Sequence, residues 1–175
     1  LDYYYPTSVL VTGWDIIFLW VARMIIAGYE FEGKRPFEQV YFTGMVRDQK
    51  RRKMSKSLGN SPDALKLIEE FGADGVRYGM LSSAAAGNDL LFDEKLCEQG
   101  LAFSNKMWNA LRLIKSWEVV EENPNKDSQK LNDLSIAWMQ TKLQKELAIL
   151  EENMQNFRLS EGLRNLRNFI WNEFC

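Results

Sequence analysis

The sequence predicts a parallel α/β unit followed by an all-α helical bundle. Two patterns carry this reading. Before Gly44 the chain runs β-branched segment, helical segment, β-branched segment, the order of two parallel strands joined by a crossover. From Asp93 onward, apolar residues recur every three or four positions, the period of a helix with one buried face. Composition permits both: 46% of the 175 residues are hydrophobic and 6 are Trp, enough to form a core and to exclude a disordered chain.

The first strand is Val9 to Thr12, closed by Gly13. Ile16 to Ala27 reads as a helix, with Asp15 where an N-cap belongs and Gly28 as its end. Val9 to Ala27 is strongly apolar, but Gly13, Asp15 and Arg23 interrupt it, so it reads as strand plus buried helix and not as a membrane span. VYFTG, Val40 to Gly44, is the second strand. A basic loop follows. Ser61 and Pro62 then signal a helix start, Ser as N-cap and Pro at the first helical position. Leu65, Ile68 and Phe71 give that helix an inward face, and Gly72 stops it. A shorter helix is expected around Asp74 to Leu81, then a loop of small residues, SSAAAGND.

After Asp93 three apolar stripes follow. The first is Leu96, Gly100, Phe103, Met107, Leu111 and Ile114. A polar linker, EENPNKDSQK, contains Pro124. The second stripe is Ile136, Met139, Leu143, Leu147, Leu150, Met154 and Phe157, and the third is Leu159, Leu163, Leu166, Ile170 and Phe174. Residues 1–92 are therefore expected to form one domain and 93–175 the helical one. Leu1 and the final NEFC both fall in mid-pattern, and the reading expects an excised piece of a longer chain.

Charge is nearly balanced, 22 basic against 24 acidic residues for a net of −2. Affinity for phosphate or nucleic acid must then come from local patches. Cys97 and Cys175 are far apart, and there is no histidine, which argues against a Cys/His zinc site and excludes a histidine base within this chain. Sparse cysteines without a secretory leader point to a reducing, cytoplasmic setting.

One local patch stands out. Six of the ten residues from Arg47 to Lys56 are basic and only Asp48 is acidic, with RRKMSKSLGN spanning Arg51 to Asn60. Three readings apply: a solvated charged loop, a nucleic-acid or nuclear-localisation patch, or a mobile phosphate-binding loop. The stretch follows a strand and precedes a capped helix, the carboxyl edge of a parallel sheet, where α/β folds bind ligands. Ser55 and Ser57 place hydroxyls beside Lys53 and Lys56, and Gly59 lets the backbone turn. The pattern is not GxxxxGK[ST], so it is no P-loop. With only Met54 and Leu58 available as apolar anchors, Arg51 to Gly59 is expected to be mobile.

KMSKS, Lys53 to Ser57, resembles the second signature motif of the class I aminoacyl-tRNA synthetases, and RRKMSKSLGN differs by one residue from the usual GRKMSKSLGN. TSVLVTGWDIIFLWVARMI, from Thr7 to Ile25, resembles the valyl branch of that family; FGADGVRYGMLSS, NKMWNALRL and FIWNEFC resemble its later segments. The likeness covers essentially the whole chain. It implies the C-terminal part of a Rossmann-type sheet with its KMSKS loop, then the start of an anticodon-binding bundle. It also implies an enzyme that joins valine to ATP, giving an aminoacyl-adenylate, and passes the valyl group to tRNA(Val). In that scheme Lys56 is the leading ATP contact and Lys53 the second, both catalytic, with Met54, Ser55 and Ser57 in support. Gly13 and Asp15 meet the ribose, unless Asp15 is an N-cap. Thr43, Gly44, Met45 and Val46 present backbone to the adenine, unless they are ordinary strand. Mg²⁺ would travel with ATP, without a protein metal site. The parent enzyme is expected to be a monomer.

Other residues keep two readings. Trp14, Ile16 and Ile17 border the amino-acid site or belong to the core. Arg77 supports the loop from behind or forms a surface ion pair. Arg158, Arg164 and Arg167 meet tRNA phosphates or form a solvated face, and Trp108, Trp138 and Trp171 fit helix packing better than base stacking. The family's first motif, His-x-Gly-His, does not occur in this sequence, nor does the inserted editing domain. GNSPDAL also departs from the family's common Gly-Asn-Val-x-x-Pro wording. Isoleucyl and leucyl relatives, or a non-catalytic nucleotide- or RNA-binding module, are the alternative readings.

Overall fold

The computed structural model describes residues 3–83, 87–119 and 126–175. Among the described residues the strands and α-helices are, in order, β1 (Thr7–Gly13), α1 (Ala22–Glu32), β2 (Phe37–Thr43), β3 (Val46–Arg47), α2 (Ala64–Ser83), β4 (Leu90–Leu91), α3 (Glu94–Lys115), α4 (Lys126–Gln155) and α5 (Leu159–Asn168). The chain forms two compact units, one of residues 1–62 with 83–93, the other of 63–82 with 94–175. The helix after the basic loop thus groups with the later helices.

In the first unit β1 and β2 pair in parallel, Thr7 opposite Phe37 and Gly13 opposite Thr43. The parallel pair expected from the two β-branched runs is present. β3 pairs in parallel with β4, Val46 opposite Leu90. Backbone bonds from Gly87 to the Phe42 carbonyl (2.9 Å), Leu90 to Met45 (2.9 Å) and Phe92 to Arg47 (2.9 Å) continue that contact along the exit of β2. Gly44 abuts this segment: a Cβ there would lie 1.5 Å from the Asn88 carbonyl oxygen.

The first crossover differs from its expectation. Trp14–Ile16 is a 3-10 turn and Ile17–Val21 a π-helical turn, and α1 begins only at Ala22. It does not end at Gly28. Gly28 is buried within α1, where a Cβ would meet the Tyr5 hydroxyl at 2.7 Å and Pro36 Cδ at 2.9 Å; it is small because neighbours crowd it. The helix stops instead at Gly33, φ 67°.

In the second unit, the helix start lies at Asp63 and not at Ser61. The Asp63 carboxylate accepts the Leu65 N–H (3.0 Å) and its carbonyl accepts the Leu67 N–H (3.0 Å). The inward residue is Leu67, while Leu65 and Ile68 are exposed. Gly72 interrupts α2 with φ 72° and ψ 156°, a conformation open essentially to glycine alone, so the predicted stop and second short helix are both there. Gly75 and Gly79 of α2 meet α3 closely. A Cβ on Gly79 would lie 2.8 Å from the Cys97 nitrogen, and one on Gly100 would lie 2.7 Å from the Gly75 carbonyl. Cys97 and Phe103 complete this buried contact.

α4 packs against α5, with Gly162 against Leu150 and Asn153. Phe157, placed on a helical stripe by its spacing, instead turns the chain between them with φ 56°. Phe169 is buried in a π-helical turn, Phe169–Phe174, that extends α5. Met107, Leu111, Ile114, Ile136, Leu143 and Leu147, all on the predicted stripes, are exposed. The linker around Pro124 and Ala84 to Ala86 of the small-residue loop lie outside the described residues.

Candidate active site

The parallel register brings Gly13 beside Thr43, so β1 and β2 end together. What leaves those ends forms the candidate site. From β1 comes Trp14-Asp15. From β2 come Gly44, Met45 and β3, which runs into the basic loop.

The loop has polar anchors where the sequence suggested only weak apolar ones. Asp48, its single acidic residue, accepts the backbone N–H of Lys50 (3.0 Å) and Arg52 (2.8 Å) and the Arg52 guanidinium (2.8 Å). Asn60 closes the other end. Its amide donates to the Asp48 carboxylate (3.1 Å) and to the Lys53 carbonyl (3.2 Å), and its oxygen accepts the Ser55 N–H (2.9 Å). The Asn60 bond, followed by those from Arg52, holds the Asp48 carboxyl down at a pKa of about 2. Lys53 bridges back to Arg47 in antiparallel fashion. The Ser55 and Ser57 hydroxyls lie 3.2 Å apart, and the Ser55 hydroxyl accepts the Leu58 N–H (3.2 Å). Gly59 makes the final turn with φ 62°.

This bonding fixes backbone and leaves charge free. Met54 and Ser55 are half-buried, whereas the Lys53 and Lys56 side chains are exposed and have no hydrogen-bond or ion-pair partner among the described residues. A loop so arranged can present two ammonium groups to a polyanion without first breaking ion pairs.

Asp15 lies within the 3-10 turn, exposed. It is not an N-cap: Gly13 holds that position, and no side chain caps the turn. The Asp15 carboxylate instead folds back over Gly13, where a Cβ would lie 2.6 Å from its oxygen. A side chain at position 13 would push that carboxylate aside. Met45 is committed to strand packing: its N–H donates to Asp89 (3.1 Å) and its carbonyl accepts from Leu90 (2.9 Å). Thr43 turns its hydroxyl to the Thr12 carbonyl (3.4 Å). Trp14, Ile16 and Ile17 are exposed and form no core.

Sequence reasoning missed Asp89. Its carboxylate accepts the Met45 N–H, the Trp14 indole N–H (3.4 Å) and the Arg47 guanidinium. Arg47, then Met45, hold its pKa below the usual carboxylate value.

In the helical unit, Arg77 pairs with Asp74 at 3.3 Å on the surface, the bland member of its two readings. Arg158 is bound to Glu152 (2.7 Å) and lies near Glu161 (4.0 Å). Arg167 lies 5.0 Å from the Trp171 ring centre, and Lys106 lies over the same ring at 4.1 Å. Lys142 lies over Trp138 at 4.5 Å. Trp138 and Trp171 are thus engaged within the protein, while Trp108 is exposed. Of the three arginines only Arg164 is exposed without such a partner among the described residues.

A sequence profile described as tRNA synthetases class I (I, L, M and V) matches residues 1–93, more than half of the chain. The chain belongs to the class I tRNA synthetases. Its similarity to valine–tRNA ligases runs throughout: 54% identity to that of Christiangramia forsetii over the whole chain, and 56% to that of Bacteroides thetaiotaomicron over 99% of it. The valine–tRNA ligase of Pseudothermotoga lettingae is 46% identical. The chain spans about 20% of the length of each of these relatives. A leucyl-tRNA synthetase of Agrobacterium radiobacter K84, solved as a ternary complex with tRNA and LeuAMS, has the same fold over 95% of this chain and 22% of its own. The TM-score is 0.69 at 21% identity. No helix among the described residues is long and apolar enough to cross a membrane.

Proposed function

We propose that this synthetase segment supplies the ATP-closing half of a valine–tRNA ligase: the C-terminal part of a Rossmann-type catalytic domain, then the start of the anticodon-binding helices. The observation that carries the reading is the loop from Arg47 to Asn60, tied through Asp48 and Asn60 while Lys53 and Lys56 stay unpaired. Valine as the amino acid rests on the relatives, whose names agree.

In the reaction the valine carboxylate attacks the α-phosphorus of ATP. The bond to the bridging oxygen breaks, pyrophosphate leaves with that electron pair, and a carboxylic–phosphoric anhydride remains. No protein nucleophile is required. The chain's part is to position the triphosphate and stabilise its oxygens as charge builds on the leaving group. Lys56 acts first and Lys53 second, because ammonium–phosphate bonds are charge-assisted. Met54, Ser55 and Ser57 shape the loop beneath them. Asp15 accepts from the ribose hydroxyls. With Met45 occupied, the backbone of Gly44 and its neighbours is what remains for the adenine. Mg²⁺ enters with ATP. The apolar faces left open on α3 and α4 are covered by the rest of the enzyme, and Arg164 is the arginine best placed for a tRNA phosphate.

The test is ATP–pyrophosphate exchange by the full-length enzyme with valine, isoleucine or leucine as the amino acid. Valine-dependent exchange that exceeds the other two by at least tenfold is expected. Equal or greater exchange with isoleucine or leucine would move the chain to a sibling specificity, and no exchange at all would favour a non-catalytic binding module.

A further inference from the structure

We infer that Asp89 is a positioning residue for ATP, acting through the chain segments its carboxylate ties together; this rests on the function just proposed. Three groups converge on that one side chain: the Trp14 indole from the turn after β1, the Met45 backbone from the exit of β2, and the Arg47 guanidinium at the start of the basic loop. One oxygen takes the first two and the other takes Arg47. These are the three segments that carry Asp15, Gly44 and the lysines. No other side chain among the described residues bonds to all three.

The surroundings make the tie stiff. Leu90 and Phe92 pair with the carbonyls of Met45 and Arg47, and Gly44 lies directly on Asn88. The backbone that bears Asp89 is thereby locked to the backbone Asp89 holds. The carboxylate also takes up the charge of Arg47, so that arginine does not compete with the loop lysines for phosphate. Without the carboxylate, Met45 and Trp14 lose their shared acceptor, and Arg47 keeps its bond to the Arg51 carbonyl (3.4 Å) but loses its ion pair at the loop's root. The result would be misplacement of the nucleotide, with a smaller effect on the amino-acid side, where the long Trp14 bond (3.4 Å) is the one tie lost. Small displacements of this kind reduce rates because alignment of the reacting atoms is lost.

The experiment is steady-state pyrophosphate exchange by the full-length enzyme carrying Asp89→Asn or Asp89→Leu, with ATP and valine varied separately. Asparagine keeps an oxygen for the Met45 N–H but turns an amide toward Arg47; leucine keeps the bulk and no acceptor. The KM for ATP is expected to rise about threefold in Asp89→Asn and tenfold or more in Asp89→Leu, with kcat falling and the KM for valine within twofold of wild type. Thermal melting of each variant records its folding, and Asp89→Asn carries the test alone should the leucine variant fail to fold. Equal shifts in both KM values would reduce Asp89 to a general structural role and overturn the inference, as would an unchanged ATP KM in a folded variant. An inactive wild-type enzyme would fault the proposed function and leave Asp89 to be judged by ATP binding in titration calorimetry. There, a tenfold weaker Kd in Asp89→Leu sustains the role and an equal Kd removes it.

Discussion

Replacing Asn60 with alanine isolates the closure of the basic loop. The side chain makes three bonds, to the Ser55 N–H, the Lys53 carbonyl and the Asp48 carboxylate. Alanine removes all three and adds no bulk. Each neutral bond is worth about 0.5–1.5 kcal/mol. Asn60 is half-buried, so water replaces part of what is lost, and about 1–2 kcal/mol for the two neutral bonds is the working figure. That corresponds to a roughly 5–30-fold drop in the fraction of loops poised for reaction. The assay is single-turnover formation of valyl-adenylate by the full-length enzyme at saturating valine and ATP. A fall within that range is expected, with the valine concentration for half-maximal rate unchanged, because on the proposed function the loop acts on phosphate and not on the amino acid. An adenylate rate within twofold of wild type would refute the claim that these bonds set the working shape of the loop. A fall accompanied by an equal loss of valine affinity would place the damage elsewhere.

Lys56→Ala should lower the single-turnover adenylate rate by about 10²–10³-fold, as does loss of one donor to a developing oxyanion; a rate within threefold of wild type would remove Lys56 from its role. The Asp48 carboxyl, at about 2 when folded against 3.8 ordinarily, is depressed, so its contribution is complete above about pH 4 and lost as pH falls through 2. Carbon-detected NMR titration should show Asp48 still ionised at pH 3 in the wild type and its midpoint moved upward in Asn60→Ala, Asn60 being the largest cause of the depression. Gly100→Ala places a methyl 2.7 Å from the Gly75 carbonyl and from Tyr78 Cβ, an overpacking cost of about 1–3 kcal/mol that should lower the melting temperature by several degrees. An unchanged melting curve would mean that α2 and α3 do not need their close approach. Finally, the 175-residue chain alone should give no valine-dependent exchange above background, because the His-x-Gly-His motif is not among its residues; exchange by the purified chain would show that its own groups suffice.

Local signals were legible where the cause was local. The β-branched runs announced β1 and β2, and Gly72 announced the break in α2, because only the residue's own conformational preference is involved. The six cations of the loop are visible to any reader of the sequence. Asp63 was hidden by competition: Ser61 and Asp63 can both cap a helix, and only the bonds to Leu65 and Leu67 decide. Periodicity found the stripe of α2 but not its phase, so Leu65 and Ile68 were chosen where Leu67 is buried. β3 and β4 are two residues each, too short for alternation to appear. Asp89 lay beyond reach altogether. Its partners are 75, 44 and 42 positions away, and nothing in GND marks that aspartate as their common acceptor.

The division of charge within the basic loop has a consequence for how the protein behaves in a salt gradient. Asp48 holds Arg52, and Asp89 holds Arg47. Lys50, Arg51, Lys53 and Lys56 remain without an ion pair among the described residues, four cations on seven consecutive positions. The chain as a whole is acidic, with an isoelectric point near 5.4. It therefore carries a small positive field inside a larger negative one, and the two differ in range. At about 0.01 M salt the screening length is roughly 30 Å, and a polyanion meets the net charge of the whole molecule. At about 0.15 M the length is near 8 Å, the distant acids fade, and the nearest four cations dominate what a triphosphate or a heparin matrix encounters. Retention by such a matrix would then pass through a maximum as salt increases, where a uniformly basic protein shows only decline.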